Sequence, residues 1–207
     1  MNSRNPLVAI LRGVKPDEVL AHIDALITAG FSTIEIPLNS PDWKSSIALA
    51  VEHYGQTIKI GAGTVTNIED ISTLSSLECA FILTPNTDPE LIDAAKAAQM
   101  KTCIGCHTAS EAFLALRHGA DGLKIFPAGE LGPNYIRALK AVLPPHAPLY
   151  AVGGIRPDNL SHYLNAGCYS AGLGSDLYRI GQSVHQTATN AKLFVEAYNT
   201  YCQHNGA

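Results

Sequence analysis

Short apolar segments recur along the chain and alternate with longer segments in which apolar residues have helical spacing. Apolar, often β-branched runs of four or five residues are typical of buried parallel strands, and the longer segments end in small or glycine-containing turns. Eight such pairs are present, and their first halves begin 20 to 27 residues apart. The predicted strands are residues 7–11, 33–37, 58–62, 81–84, 102–105, 122–126, 149–153 and 171–174.

Helix signals occupy the segments between the strands. An apolar stripe with helical spacing follows Pro16 and ends at Gly30, and Pro89 opens a second helical segment. Thr108 is followed three residues later by Glu111, which is the capping-box pattern. Eight βα units favour a single-domain α/β fold, a (β/α)₈ TIM barrel over residues 1–207. An open, doubly wound sheet is the alternative.

Composition changes this picture mainly by excluding classes of partner. Hydrophobic residues make up 46% of the chain and charged residues 15%, which is enough apolar material for a sizeable core. The formal net charge is −4 and the 14 Lys and Arg residues are scattered, which disfavours nucleic acid and anionic membranes as partners. The first apolar run is too short for a signal peptide or a membrane span, and the five cysteines are expected to be reduced. The sequence therefore predicts a cytoplasmic protein.

Glycine-rich sequences follow the last two predicted strands. AVGGI contains Gly153 and Gly154, and AGLGSD contains Gly174 and Ser175. In (β/α)₈ barrels the loops after strands 7 and 8 commonly bind phosphate, because glycines let backbone N–H groups approach the anion. Tight turns alone would also explain either loop, but the two together favour a phosphate site.

Two charged residues, Glu35 and Lys124, lie within predicted strands. Side chains alternate between the two faces of a strand, so both are expected to point into the barrel while their apolar neighbours face the helices. One interpretation is a structural ion pair. The other is that Lys124 attacks a carbonyl, because burial disfavours its ammonium form, with Glu35 as the general acid/base. Beside a phosphate site, this pair indicates Schiff-base chemistry on a phosphorylated keto compound.

Six motifs in order, IEIPLNS, GAGTV, TPN, GLKIFP, AVGGI and GLGSDLY, resemble the class I aldolases that cleave 2-keto-3-deoxy-6-phospho sugar acids, the KDPG/KHG aldolase family. The resemblance extends from ILRG at residue 10 to about residue 183 and is closest to the galactonate branch. It implies cleavage of 2-dehydro-3-deoxy-6-phospho-D-galactonate to pyruvate and D-glyceraldehyde 3-phosphate in galactonate catabolism. It also implies a homotrimer that needs no metal or other cofactor.

The resemblance further implies a role for each motif residue. Lys124 would form the Schiff base, and Glu35 would move protons as the general acid/base. Thr64 would hydrogen-bond the pyruvyl carboxylate, and Arg12 is placed to pair with the same group, since a guanidinium suits it bidentately. The residues that would hold the phosphate are Gly153, Gly154, Gly174 and Ser175.

Two positions depart from the gluconate branch of the family. That branch has an arginine four residues after the catalytic glutamate, where this chain has Asn39, and a threonine before its glycine pair, where this chain has Val152. The first change leaves Arg12 to neutralise the substrate carboxylate. The second removes a hydrogen bond to a sugar hydroxyl and so alters or relaxes control at C4. Both changes fit the galactonate branch, and a gluconate or dual-epimer aldolase is the alternative.

Other functions stay open from the sequence alone. A phosphate-binding barrel could be an isomerase or synthase in which Lys124 is only an electrostatic clamp, or a phospho-sugar binding protein without activity. The sequence CIGCH, which begins at Cys103 and includes Cys106, formally matches a haem-attachment motif or a redox pair, but its place at a strand end favours small core residues. The eight histidines lack the spacing of a metal site, so no metal is expected.

Overall fold

A computed structural model of the chain describes residues 5–205, so the first four and last two residues of the predicted domain 1–207 lie outside the described residues. Eight parallel strands form a closed barrel in chain order. They are β1 (Val8–Ile10), β2 (Thr33–Pro37), β3 (Lys59–Gly63), β4 (Phe81–Leu83), β5 (Lys101–Cys106), β6 (Gly122–Ile125), β7 (Leu149–Val152) and β8 (Ser170–Leu173).

A helix follows each strand. The helices are α1 (Val19–Ala29), α2 (Trp43–Tyr54), α3 (Glu69–Ser76), α4 (Pro89–Ala97), α5 (Ala109–Arg117), α6 (Ala128–Lys140), α7 (Leu160–Asn165) and α8 (Val184–Asn205). The predicted (β/α)₈ barrel is confirmed, and the doubly wound alternative is wrong, because β1 pairs with β8 and closes the sheet. Within residues 5–205 no helix combines the length and apolarity needed to cross a membrane.

Local sequence signals explain some of the helix starts, most clearly those of α4 and α5. The predicted capping box at α5 is present, since Thr108 Oγ1 accepts from the Glu111 backbone N–H at 3.3 Å and Glu111 Oε2 accepts from the Thr108 N–H at 2.7 Å. Helix α1 begins at Val19, three residues after Pro16. The Glu18 side chain there accepts a hydrogen bond from the Lys15 N–H at 3.1 Å and holds the preceding residues in a turn.

Apolar side chains are divided between the outside and the inside of the barrel. The isoleucines on either side of Glu35 and the apolar neighbours of Lys124 belong to the main core, which the helices share. A separate small cluster of Val8, Phe81 and Leu83 fills part of the barrel interior. This division follows strand alternation and leaves Glu35 and Lys124 on the interior face.

Glycines on neighbouring strands make room for the interior rings. A Cβ at Gly61 would lie 2.4 Å from the Phe81 ring, and a Cβ at Gly122 would lie 2.8 Å from the Tyr150 ring. Neither distance is compatible with a side chain larger than hydrogen unless the ring moves. The barrel interior therefore combines a few large rings with strand positions that carry no side chain.

Candidate active site

Lys124 lies on β6 and is only 3% exposed. Its Nζ has no hydrogen bond or ion pair with any residue between 5 and 205, and it lies 5.0 Å from the centre of the Phe126 ring. Burial of an amine without a polar partner is unfavourable by several kcal/mol, and a single ring contact offsets only part of that. Stability alone therefore does not explain a lysine at this position.

Glu35 lies on β2 and is 1% exposed, and its Oε2 is buried without a hydrogen-bond partner among the described residues. Burial raises the pKa of Glu35, and the positive charges of Lys124 and Arg12 oppose that shift. These three side chains therefore share one electrostatic environment. The structural ion-pair interpretation is wrong, because no nitrogen of Lys124 comes within 4.0 Å of a carboxylate oxygen of Glu35.

The end of β3 is shaped around Glu35 and Arg12. A Cβ at Gly63 would lie 1.5 Å from Glu35 Oε1, so only glycine leaves room for the carboxylate in this position. The next residue, Thr64, has φ of 55°, in a region that β-branched residues rarely adopt and that is concentrated at functional sites. Its Oγ1 accepts a hydrogen bond from Arg12 Nη2 at 3.4 Å. The predicted pair of Arg12 and Thr64 is thus brought together at the carboxyl end of the strands.

Arg12 also has a partner that the sequence did not indicate. Its Nη1 donates to Asn39 Oδ1 at 2.7 Å, and the adjacent Gly13 N–H donates to Ser40 Oγ at 2.8 Å. The loop after β2 therefore holds the turn after β1 through two hydrogen bonds. The only sequence signal for this contact was that position 39 differs from the gluconate branch.

The loop after β7 packs closely on the segment that follows Lys124. Gly153 and Gly154 have φ of 91° and 72°, which favour glycine, so the turn itself requires glycine at both positions whether or not the loop binds phosphate. The Gly153 carbonyl accepts from the Gly129 N–H at 2.8 Å, and a Cβ at Gly153 would meet the Phe126 ring at 3.3 Å. The ring that contacts Lys124 therefore also abuts the predicted phosphate loop.

Gly174, after β8, differs from these two glycines. Its φ lies outside the left-handed region, and a Cβ placed on it would meet no atom of residues 5–205 within 4 Å. Neither backbone conformation nor packing requires glycine here, so the open space fits the close approach of a ligand. Ser175 is exposed beside it, and its backbone carbonyl accepts from Arg179 Nε at 2.8 Å. Sequence reasoning missed Arg179, although a cation four residues after a glycine-serine pair was a visible signal.

The two cysteines of CIGCH lie on opposite faces of β5. Cys106 packs in the main core, whereas Cys103 packs against the interior cluster. Burial raises the pKa of Cys106 to about 12 and also raises the pKa of Cys103. Their places on opposite faces of β5 and their raised pKa values argue against a redox pair. The prediction of small core residues is confirmed for Cys106, whereas Cys103 is only partly buried. Among residues 5–205 there is no group of three His, Cys, Asp or Glu side chains that could hold a metal ion.

A cavity of about 590 Å³ opens at the opposite, amino-terminal end of the barrel. Its described lining includes Val8, Lys59, Phe81, Lys101 and Tyr150, but none of the predicted site residues. In (β/α)₈ barrels conserved chemistry lies at the carboxyl ends of the strands, where Arg12, Thr64 and the glycine loops are found. The carboxyl end is therefore the candidate active site.

Comparisons with known proteins identify the family to which the chain is similar. The profile of the family described as KDPG and KHG aldolase matches residues 2–191. The chain is 54% identical to the 2-dehydro-3-deoxy-6-phosphogalactonate aldolase of Escherichia coli (strain K12), over 96% of this chain and 97% of that protein. It is 43% identical to a probable 2-dehydro-3-deoxy-6-phosphogalactonate aldolase of Rhizobium meliloti (strain 1021), over 94% and 92%. A solved structure described as "Native KDPGal structure" superposes with a TM-score of 0.95 at 53% identity, over 98% of each chain.

Proposed function

The chain belongs to the KDPG and KHG aldolase family, and on that premise we propose that it is a class I aldolase specific for 2-dehydro-3-deoxy-6-phosphogalactonate. Its products are pyruvate and D-glyceraldehyde 3-phosphate. Two relatives that carry the galactonate name support this substrate, at 54% and 43% identity. The observation that carries the chemistry is the burial of Lys124 inside the barrel without a hydrogen-bond or ion-pair partner within residues 5–205.

The reaction begins with attack of the Lys124 amine on the C2 ketone. A C–N bond forms, the ketone oxygen takes up a proton to give a carbinolamine, and loss of that oxygen as water leaves an iminium. Glu35 supplies and removes the protons, since burial raises its pKa above the ordinary value and so favours the protonated form that can donate. The iminium then serves as the electron sink for the next step.

Cleavage of the C3–C4 bond delivers its electron pair to the iminium and produces an enamine. The C4 hydroxyl loses its proton, directly or through water, to Glu35, and C4 leaves as the aldehyde of glyceraldehyde 3-phosphate. Protonation of the enamine at C3 and addition of water at C2 then release pyruvate and the free lysine. Every proton needed is recycled between Glu35 and water, so the scheme requires no metal or oxidant.

The two ends of the substrate bind to different loops. Arg12 and Thr64 bind the carboxylate next to the reacting ketone, where a guanidinium and a hydroxyl provide donors. The phosphate lies at the loops after β7 and β8, on the backbone of Gly153, Gly154 and Gly174 and the hydroxyl of Ser175. The carboxylate and the phosphate of the substrate are thus bound on either side of Lys124.

Turnover of the two C4 epimers tests the substrate assignment. Purified protein is given 2-dehydro-3-deoxy-6-phosphogalactonate or its gluconate epimer, and pyruvate release is followed by a coupled dehydrogenase. We expect a higher kcat/KM for the galactonate epimer. A clear preference for the gluconate epimer contradicts the assignment, and release from neither compound favours the isomerase or synthase alternative. The homotrimer and the cytoplasmic location stay predictions, and the first is tested by the mass in solution.

Gly174→Ala is expected to weaken binding of the phosphorylated substrate selectively. The added methyl enters space that the fold leaves open, so the melting temperature should be unchanged. Loss of close backbone approach to the phosphate should raise KM about tenfold or more, which corresponds to about 1.4 kcal/mol. KM is measured for the phosphorylated substrate and for its dephosphorylated form. The substitution should change KM little for the dephosphorylated form. An equal effect on both forms would place the phosphate elsewhere.

A further inference from the structure

Arg12 is held by neutral partners only. Among residues 5–205 its guanidinium donates to the Asn39 amide oxygen and the Thr64 hydroxyl, and it has no ion pair. The nearby carboxyl of Glu35 interacts with it electrostatically, but burial favours the uncharged form of that group. The positive charge of Arg12 is therefore oriented without being neutralised.

This arrangement suits a guanidinium that must bind an anion. Guanidinium has five N–H donors in a fixed plane, and the two hydrogen bonds use one donor on each terminal nitrogen. The 2.7 Å bond from Nη1 to Asn39 is the shorter of the two and sets the rotation of the plane. Nε–H and one N–H on each terminal nitrogen stay available for a bidentate contact with a carboxylate.

We infer that Asn39 is a positioning residue for the carboxylate contact of Arg12, and that its lack of charge is essential to that role. This inference rests on the proposed function, in which Arg12 binds the substrate carboxylate. An aspartate at position 39 would accept the same hydrogen bond but would pair with Arg12 and compete with the substrate. An alanine would leave the charge but release the guanidinium plane.

Asn39→Asp and Asn39→Ala separate these two contributions. Each variant is incubated with borohydride and either pyruvate or its neutral analogue pyruvamide, and the adduct on Lys124 is measured by mass spectrometry against ketone concentration. We expect the half-saturating concentration of pyruvate to rise at least about tenfold in Asn39→Asp, because the new carboxylate competes for Arg12. In Asn39→Ala it should rise several-fold, because the hydrogen bond that orients the guanidinium is lost. The half-saturating concentration of pyruvamide should stay close to the wild-type value in both variants.

The chain offers a matched control in Asn134, which accepts from Arg137 Nη1 at 2.8 Å on the exposed side of α6. Asn134→Asp makes the same chemical change beside an arginine and should leave both ketones unaffected. The inference is overturned if Asn39→Ala binds pyruvate like wild type, or if both ketones weaken equally. If wild-type protein traps pyruvate and both variants bind it as wild type does, the role of Asn39 is refuted but the aldolase mechanism is not. Failure of wild type to trap pyruvate refutes the aldolase mechanism as well.

Discussion

Lys124→Met is expected to abolish cleavage and to stabilise the protein at the same time. Without the amine no iminium forms, and loss of a covalent nucleophile lowers kcat by a factor on the order of 10⁵–10⁶. Methionine has a similar length and is apolar, so it fills the same space on β6. Because Lys124 is 3% exposed and lacks a hydrogen-bond or ion-pair partner among the described residues, its removal should raise the free energy of unfolding by about 0.5–2 kcal/mol.

The sign of the stability change separates catalysis from a structural role. Removal of one partner from a buried ion pair typically destabilises a protein by about 3–5 kcal/mol. Chemical denaturation measures the free energy of unfolding, and a coupled pyruvate assay measures activity. Lys101→Met is the matched control on the neighbouring strand, since Lys101 is 73% exposed and pairs with Asp121 at 2.9 Å. This control should keep its activity and lose at most about 1 kcal/mol. A strongly destabilised Lys124→Met would contradict the proposed role.

The barrel was predictable because its strands carry a strong local signal. A buried parallel strand is apolar on both faces, so each of the eight strands appeared as a short hydrophobic run, and the predicted ends lie within one residue of those of β1 to β8. The start of α1 was less predictable. The residues after Pro16 have helical spacing, but they form a turn in which the Lys15 carbonyl accepts from the Glu18 and Val19 N–H groups, and the helix begins only at Val19.

The candidate site was predictable only where residue type and strand position carried the information. Strand alternation placed Glu35 and Lys124 inside the barrel, yet it could not give the distance between them, and the ion pair proved wrong. Contacts between distant segments were missed for the same reason. Arg12 and Asn39 are 27 residues apart in the chain, and their hydrogen bond exists only because β1 and β2 are neighbours.

Glycine shows the same limit most clearly. The sequence predicted one purpose for Gly153, Gly154 and Gly174, but the first two have left-handed backbone conformations and the third does not. Gly63, which makes room for the carboxylate of Glu35, was quoted only as part of a motif. The sequence does not show which neighbouring group occupies the space beside a glycine. The reason for a glycine is therefore seen only in the folded structure.

Glu35→Gln is expected to lower kcat by about 10²–10⁴, the usual contribution of a general acid/base. Glutamine matches the protonated form in shape but cannot exchange a proton, so the adduct of Lys124 with pyruvate should still form, more slowly. Turnover of the galactonate substrate and borohydride trapping with pyruvate measure the two steps separately. If turnover and pyruvate trapping both fell to the level of Lys124→Met, Glu35 would be needed for the integrity of the site rather than for proton transfer.

The pH dependence of stability provides an independent test of Glu35. Burial raises its pKa above the ordinary value of 4.5, so the folded state holds this proton more tightly than the unfolded state. The stabilisation is therefore complete below pH 4.5 and is lost as pH rises through the raised pKa. Glu35→Gln, which cannot lose a proton, should gain stability relative to wild type as the pH increases from 4 to 8.

Glu111 supplies a control with the opposite sign. Hydrogen bonds from the backbone N–H of His107 and from Thr108 lower its pKa, so its stabilisation is present above the ordinary value and is lost as pH falls. Glu111→Gln should therefore lose stability relative to wild type at neutral pH, with a difference that shrinks in acid. Denaturation curves of the three proteins from about pH 2 to 8 distinguish the cases, because the Glu111 contribution is lost only below pH 4.5 and the Glu35 contribution only above it. Parallel behaviour of the two variants would mean that burial does not govern the ionisation of Glu35.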